Sequence, residues 1–278
     1  MEKIKQAIEA SKRNQPATKP TVATQLPADE PVNQQSAATK STSNIVYDQT
    51  RIVKLDPEHL ARNRIVSFNK NDHLSLGFDI LRTQVINKMQ AKGWRTMAIT
   101  SPTQACGKTV ISINLAMSIA HHTDTTTILA DFDLRRPSIR KYLGLPQGPS
   151  LNDVLSGDAD LSEALVNPGL DRFVVLPTFK PVPHSSEVLS SKKVGRLVQD
   201  IRTRYEERIA IFDLPPMLVS DDAMIMLSQV DCVLVVVGNG MVSNDQLTDT
   251  MRYIDPDKLL GTVLNKSQSK QSDGYYDY

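Results

Sequence analysis

Met97-Ala98-Ile99-Thr100-Ser101-Pro102-Thr103-Gln104-Ala105-Cys106-Gly107-Lys108-Thr109 is the stretch that decides the fold. An apolar strand runs into a short loop, and Lys108 opens a segment with Ile111, Leu115 and Ile119 at helical spacing. Strand, loop and helix in that order make a phosphate cradle. Backbone N–H groups and the positive end of the helix surround the anion, the lysine reaches the β and γ oxygens, and the threonine offers a hydroxyl to magnesium. The expected nucleotide-binding set is Thr103, Gln104, Ala105, Cys106, Gly107, Lys108, Thr109 and Val110. Pro102 stands where the usual P-loop has its first glycine, and Ala105 stands where many such loops carry another. The Cys106 thiol, inside this loop, is expected to be exposed when nucleotide is absent.

Two further strand ends carry charge. Ile128-Leu129-Ala130-Asp131-Phe132-Asp133-Leu134-Arg135-Arg136-Pro137 places two carboxylates and two arginines where an apolar strand stops. Carboxylates there can orient magnesium or take a proton, and arginines can neutralise a transferring phosphoryl group. Ile209-Ala210-Ile211-Phe212-Asp213-Leu214-Pro215-Pro216 is an apolar strand ending in one aspartate, the pattern of a Walker-B magnesium partner.

Around these motifs, short apolar runs alternate with helical stretches. The runs are Thr96 to Thr100, Thr127 to Asp131, Phe173 to Leu176, Ile209 to Asp213, Cys232 to Val237 and Gly261 to Asn265. Helices are expected from Lys108, from Lys192, near Asp221 to Leu227 and near Asp245 to Ile254. Continuous apolar strands separated by helices imply an α/β fold, a mainly parallel sheet covered by helices on both faces, with ligands at the carboxyl ends of its strands. Before the first of these strands, His73 to Met89 reads as a helix with Leu76, Ile80, Leu81, Val85 and Met89 facing inward.

The rest of the 278 residues sets the frame. Residues 1–13 place Ile4, Ala7 and Ile8 at helical spacing among basic residues, a short amphipathic helix. Residues 14–50 are mostly Thr, Gln, Ala, Ser and Pro, too polar to offset the entropy of ordering, and read as a disordered linker. A P-loop domain over 51–267 and a flexible tail over 268–278 follow. A formal net charge of +1 marks no nucleic-acid binder. Cys106 and Cys232 lack the paired spacing of a zinc or redox site. The longest apolar run is far short of the roughly 20 residues that cross a bilayer, and no signal-peptide core begins the chain, so a cytoplasmic location is expected.

Taken together these motifs resemble the bacterial tyrosine kinases of capsule and exopolysaccharide synthesis, P-loop ATPases related to the MinD and ParA group. The likeness spans about Asn71 to Lys266 and is carried most specifically by Asp131-Phe132-Asp133-Leu134-Arg135-Arg136-Pro137. Gly144-Leu145-Pro146, Leu151 to Gly157, Leu176-Pro177, Asp213-Leu214-Pro215-Pro216 and Asp222-Ala223 match in order. The resemblance implies ATP- and Mg2+-dependent phosphorylation of tyrosines in a C-terminal cluster, driven by a membrane activator protein of the polysaccharide export machine that recruits the kinase to the inner face of the cell membrane. The chain ends Asp273-Gly274-Tyr275-Tyr276-Asp277-Tyr278, so three of its seven tyrosines lie in the last four positions. Tyr275, Tyr276 and Tyr278 are the implied phosphoacceptors. By the same resemblance Lys108 serves the β and γ phosphates, Thr109 the metal, Asp213 the metal through water, Asp131 the metal or the proton as base. Asp133 would hold the metal or the catalytic geometry, Arg135 phosphate or substrate, and Asn265 the adenine. The family's ring-forming helix carries glutamate, arginine and arginine at three-residue spacing, and the matching positions here are Leu76, Asp79 and Arg82. A homo-oligomer would have to form without most of that contact.

Two other classes stay open. A partition or cell-division ATPase shares this architecture, but such proteins carry an extra lysine early in the P-loop, where this chain has Thr103. A non-catalytic regulator would bind ATP and modulate polysaccharide assembly without transferring phosphate.

Overall fold

The computed structural model describes residues 50–122, 125–204 and 207–267. The helix expected over 1–13, all but the last residue of the linker, and the tail with Tyr275, Tyr276 and Tyr278 lie outside the described residues.

Eight strands make one sheet: β1 (Arg51–Ile52), β2 (Thr96–Thr100), β3 (Thr126–Asp131), β4 (Val166–Asn167), β5 (Phe173–Leu176), β6 (Arg208–Asp213), β7 (Cys232–Gly238) and β8 (Leu259–Asn265). Their order is β1-β4-β5-β3-β6-β2-β7-β8, and every neighbouring pair is parallel except β4 with β5. Strand residues alternate between two separate cores. Met97, Ile99, Leu129, Ile211 and Leu234 face one, while Ala98, Ile128, Ala130, Phe212 and Val233 face the other. With both faces covered, every position of an inner strand gains by being apolar, and the strands read as unbroken apolar runs.

The first core is closed by α1 (Pro57–Arg62), α2 (Leu76–Lys92), α3 (Lys108–Ala120) and α4 (Ile139–Leu143). The second lies under α5 (Leu151–Ser156), α6 (Leu161–Ala164), α7 (Ser185–Leu189), α8 (Lys192–Thr203) and α9 (Asp222–Leu227); α10 (Asn244–Arg252) contributes Met251 to its edge. Phe132 and Phe212 meet edge to face there, ring centroids 5.1 Å apart, and so lock the ends of β3 and β6 together. In register, Asp131 lies opposite Asp213, and Asp213 opposite Ile99. Three strand ends that carry the sequence motifs are thereby adjacent.

The inward face expected for α2 needs correction. Val85, Ile86 and Met89 are buried and Leu81 partly so, but Leu76 is 37% and Ile80 54% exposed. At about 100° per residue, Leu76 and Ile80 lie on the side of the helix opposite Val85 and Met89. Spacings of four residues join each pair locally, but the two pairs never form one stripe.

Candidate functional site

The loop between β2 and α3 is built on two residues in the left-handed region, Ala105 at φ 62° and Gly107 at φ 89°. Ala105 accepts a conformation that glycine adopts without strain, at a cost of about 1–2 kcal/mol. The end of β8 braces the loop: Asn265 Nδ2 donates to the Cys106 carbonyl at 2.9 Å, and Lys266 Nζ to the Ala105 carbonyl at 2.8 Å. A Cβ on Gly107 would run into Asn265 Nδ2 as well as being strained at that φ. Gly107→Ala is therefore expected to distort the cradle by about 1–3 kcal/mol of strain, with at least tenfold weaker nucleotide binding at a modest drop in melting temperature. A nucleotide titration beside a melting curve checks this, and unchanged affinity would show that the loop does not hold phosphate.

The ion pairs sit where the three strands end. Lys108 Nζ lies 2.9 Å from Asp133 Oδ2 and 3.6 Å from Asp213 Oδ2. Burial disfavours the charge on Lys108, but Asp213 and Asp133 more than offset it and hold the ammonium above its ordinary pKa. Asp213 accepts from Thr109 Oγ1 at 2.7 Å and from Ser112 Oγ at 2.9 Å. Asp131 Oδ2 accepts the backbone N–H groups of Ser138 and Ile139, both at 2.9 Å. Its Oδ1 is buried with no hydrogen-bond partner. Burial, followed by the charge of Asp213 on the adjacent strand, pushes Asp131 up to about 8, and burial raises Asp213 as well. The cluster holds more carboxylate than its lysine neutralises, which suits it to a cation.

Oxygen donors from Thr109, Asp131 and Asp213, one of them an orphaned buried oxygen, fit magnesium carried in with phosphates. No group of three or more His, Cys, Asp or Glu able to hold a metal by itself exists among the described residues.

A cavity of about 780 Å³ opens over these groups, large enough for a nucleotide. Gln104, Ala105, Gly107, Lys108, Thr109 and Val110 line it, as do Asp133, Arg135 and Asn265. Thr103, Cys106, Asp131 and Asp213 do not. Cys106 is 1% exposed, its Sγ 3.5 Å from Thr103 Oγ1, so the exposed thiol expected in this loop is a buried one. The left-handed turn at Ala105 and Gly107 directs the backbone toward the cavity, and the cysteine side chain packs into the core behind it.

Arg135 points to the cavity but is already held. Its Nε and Nη2 bind the two oxygens of Asp222 at 3.1 and 3.2 Å. Asp222 is fully buried and also takes Ser185 Oγ at 2.6 Å and Ser186 Oγ at 2.8 Å. Burial works against its charge, but these donors outweigh it and lower the pKa. The Asp222-Ala223 pair singled out in the sequence thus anchors α9 to the loop after β3. Sequence reasoning missed the cavity wall formed by Arg62, Asn63 and Arg64, and that formed by Arg136, Ser138 and Tyr142. Arg136 itself was one of the two arginines of the sequence motif; in the structure its Nη1 donates to Gln104 Oε1 at 2.9 Å and its backbone N–H to Asp133 Oδ1 at 3.0 Å.

No protein-family model matches the chain. Among curated proteins it is similar to EpsB of Ralstonia nicotianae, 30% identical over 66% of this chain and 24% of that protein. It is also similar to the tyrosine-protein kinase wzc of Salmonella typhi, 25% identical over 84% of this chain and 31% of that protein. The chain thus spans less than a third of these two relatives. The tyrosine-protein kinase YwqD of Bacillus subtilis is 28% identical over 78% of this chain and 92% of its own length. Among solved structures, the kinase domain of the Escherichia coli tyrosine kinase ETK superposes with a TM-score of 0.68 at 24% identity, covering 84% of this chain and 94% of that domain. The Pyrococcus horikoshii septum site-determining protein MinD, complexed with Mg-ADP, gives 0.52 at 22% identity over 63% of this chain and 72% of its own. These two superpositions fix the fold.

Proposed function

We propose, from the premise that this chain is a homologue of the bacterial tyrosine-protein kinases, that it is an ATP-dependent tyrosine autokinase acting in exopolysaccharide or capsule synthesis. One observation carries the proposal. Lys108, Thr109, Asp131, Asp133 and Asp213 converge at three adjacent strand ends beside the cavity, with a charge balance that calls for a cation and a polyphosphate.

In this proposal the loop N–H groups and Lys108 bind the β and γ phosphates, and Asn265, already bonded to the loop, meets the adenine. Thr109 and Asp213 would hold Mg2+, with Asp131 serving either the ion or the proton, and the ion would supply charge neutralisation on the phosphate oxygens. A tail tyrosine oxygen forms a bond to the γ phosphorus as the bond to the bridging oxygen breaks and ADP leaves. Where Asp131 serves the proton rather than the ion, the phenolic proton passes to its Oδ1, whose pKa, raised by burial in the metal-free cluster, suits a base working near neutrality. Lys108 exchanges Asp133 for phosphate as nucleotide enters, and Asp133 would then help hold the metal or the catalytic geometry. Arg135 serves phosphate or substrate when it leaves Asp222. The phosphoacceptors are Tyr275, Tyr276 and Tyr278, and the activator is a membrane protein of the polysaccharide export machinery that brings this chain to the inner face of the membrane. No described helix is long and apolar enough to cross a membrane. Ring assembly through the α2 helix is not part of the proposal: Arg82 is engaged within the chain, bonded to Asp79 at 2.8 Å and to Ser118.

Thr103 argues against a partition ATPase, because a short hydroxyl resting on Cys106 Sγ replaces the extra lysine of that class. Anti-phosphotyrosine blotting of protein incubated with Mg-ATP, with and without Tyr275, Tyr276 and Tyr278 changed to Phe, tests the assignment. Signal in wild type alone is expected. Equal signal in both would move the acceptor elsewhere, and none in either would favour the non-catalytic regulator.

A further inference from the structure

Arg64 occupies a position built for glycine. Helix α1 ends in a Schellman motif: Ile65 N–H donates to the Leu60 carbonyl at 2.9 Å, Arg64 N–H to the Ala61 carbonyl at 3.0 Å, and Leu60 packs with Ile65 in the core. The residue in the left-handed conformation of such a cap is usually glycine, since a Cβ there is strained. Here it is arginine, at φ 60°.

The backbone at this point is pinned from the nucleotide side. Asn114, fully buried on α3, donates through Nδ2 to the Arg64 carbonyl at 3.0 Å and to the Val110 carbonyl at 2.9 Å. Its Oδ1 accepts Val66 N–H at 2.8 Å and Ser67 N–H at 2.9 Å. One side chain therefore joins the cap of α1 to the first turn of α3, the turn whose N–H groups face phosphate. Arg64 lines the cavity, and its guanidinium makes no hydrogen bond or ion pair among the described residues. Neighbouring Arg62 differs, being loosely paired with Asp56 and Glu58 at 3.9 Å.

On the premise that this cavity binds nucleotide, the geometry points to Arg64 as a phosphate-binding residue whose guanidinium closes on the α and β phosphates beside Val110. Strain retained at a site wall, an exposed guanidinium with no protein partner to hold it away from the cavity and an anchor on the phosphate-binding helix together favour an anionic ligand. The planar donor fork suits adjacent phosphate oxygens, and its permanent charge adds to that of Lys108.

Arg64→Gly tests this without endangering the fold, because glycine relaxes the left-handed turn and keeps every backbone hydrogen bond. Binding of Mg-ADP and of adenosine to the full chain is measured by calorimetry, with a melting curve for each protein. The expected result is a melting temperature equal to or above wild type, an ADP affinity at least about tenfold weaker, and unchanged adenosine affinity. Equal ADP affinity in variant and wild type overturns the assignment while leaving the nucleotide site in place. Equal weakening of ADP and adenosine overturns the phosphate contact in favour of one to ribose or base. Wild type that binds no ADP at all sinks both this inference and the nucleotide site.

Discussion

Lys108→Met is expected to leave no detectable tyrosine phosphorylation and no ATP hydrolysis above background. Lys108 is held charged in a largely dry site by Asp133 and Asp213, so its ammonium is already in place when a polyphosphate displaces them. A preorganised charge of that kind contributes about 2.7–4 kcal/mol to transition-state stabilisation, or 10²–10³ in rate, before any loss of binding. Methionine keeps the length of the stem and removes the charge. It also leaves Asp213 without the cation that lowers its pKa, so this buried carboxyl is expected to hold its proton more firmly and the variant to lose stability as the pH rises. Activity is therefore compared at a pH where melting curves show both proteins folded. Phosphorylation at the wild-type rate would remove Lys108 from the site.

Asp131→Asn is expected to bind ATP nearly as well as wild type and to transfer phosphate at least about a hundredfold more slowly. An amide oxygen can still accept the Ser138 and Ile139 N–H groups, so the loop after β3 keeps its anchor. What disappears is the negative charge and the orphaned Oδ1. The same substitution has a signature in stability. Asp131 rises from an ordinary 3.8 to about 8 on folding, and Asp213 is raised too, so the folded protein holds protons that the unfolded chain releases. Their contribution is fully present below about 3.8 and is lost as the pH rises toward 8. Asp222, whose pKa is lowered, loses its contribution only in acid and leaves this window flat. Without nucleotide, the wild-type melting temperature should fall from pH 5 to pH 8, and Asp131→Asn should fall less. Parallel curves would show that Asp131 is not the raised group.

The central strands were legible because a strand buried on both faces has no polar side to hide. Met97 to Thr100 and Ile209 to Asp213 show this, and the motifs at their ends located the cluster. Partners across the sheet were not legible. Nothing near Arg135 in the sequence announces that Asp222, with Ser185 and Ser186, holds its guanidinium. Nothing in the sequence singles out Asn114 in its apolar helix, yet it carries four hydrogen bonds, three of them to segments 47–50 residues away. Two-residue strands such as Arg51–Ile52 and helices of four to six residues are shorter than any periodicity. The Cys106 side chain was misplaced because its direction depends on left-handed turns at Ala105 and Gly107, and only the glycine suggests one.

Whether the γ phosphate goes to tyrosine or to water is the central question, and following it directly is the sharpest test. The full chain is incubated with magnesium and γ-labelled ATP beside Lys108→Met, inorganic phosphate is counted, and the peptide carrying residues 268–278 is sequenced by mass spectrometry. Label on Tyr275, Tyr276 or Tyr278 in wild type, absent from Lys108→Met, is the predicted result. ATP consumed with all label recovered as inorganic phosphate, or a tail labelled equally in both proteins, would contradict it.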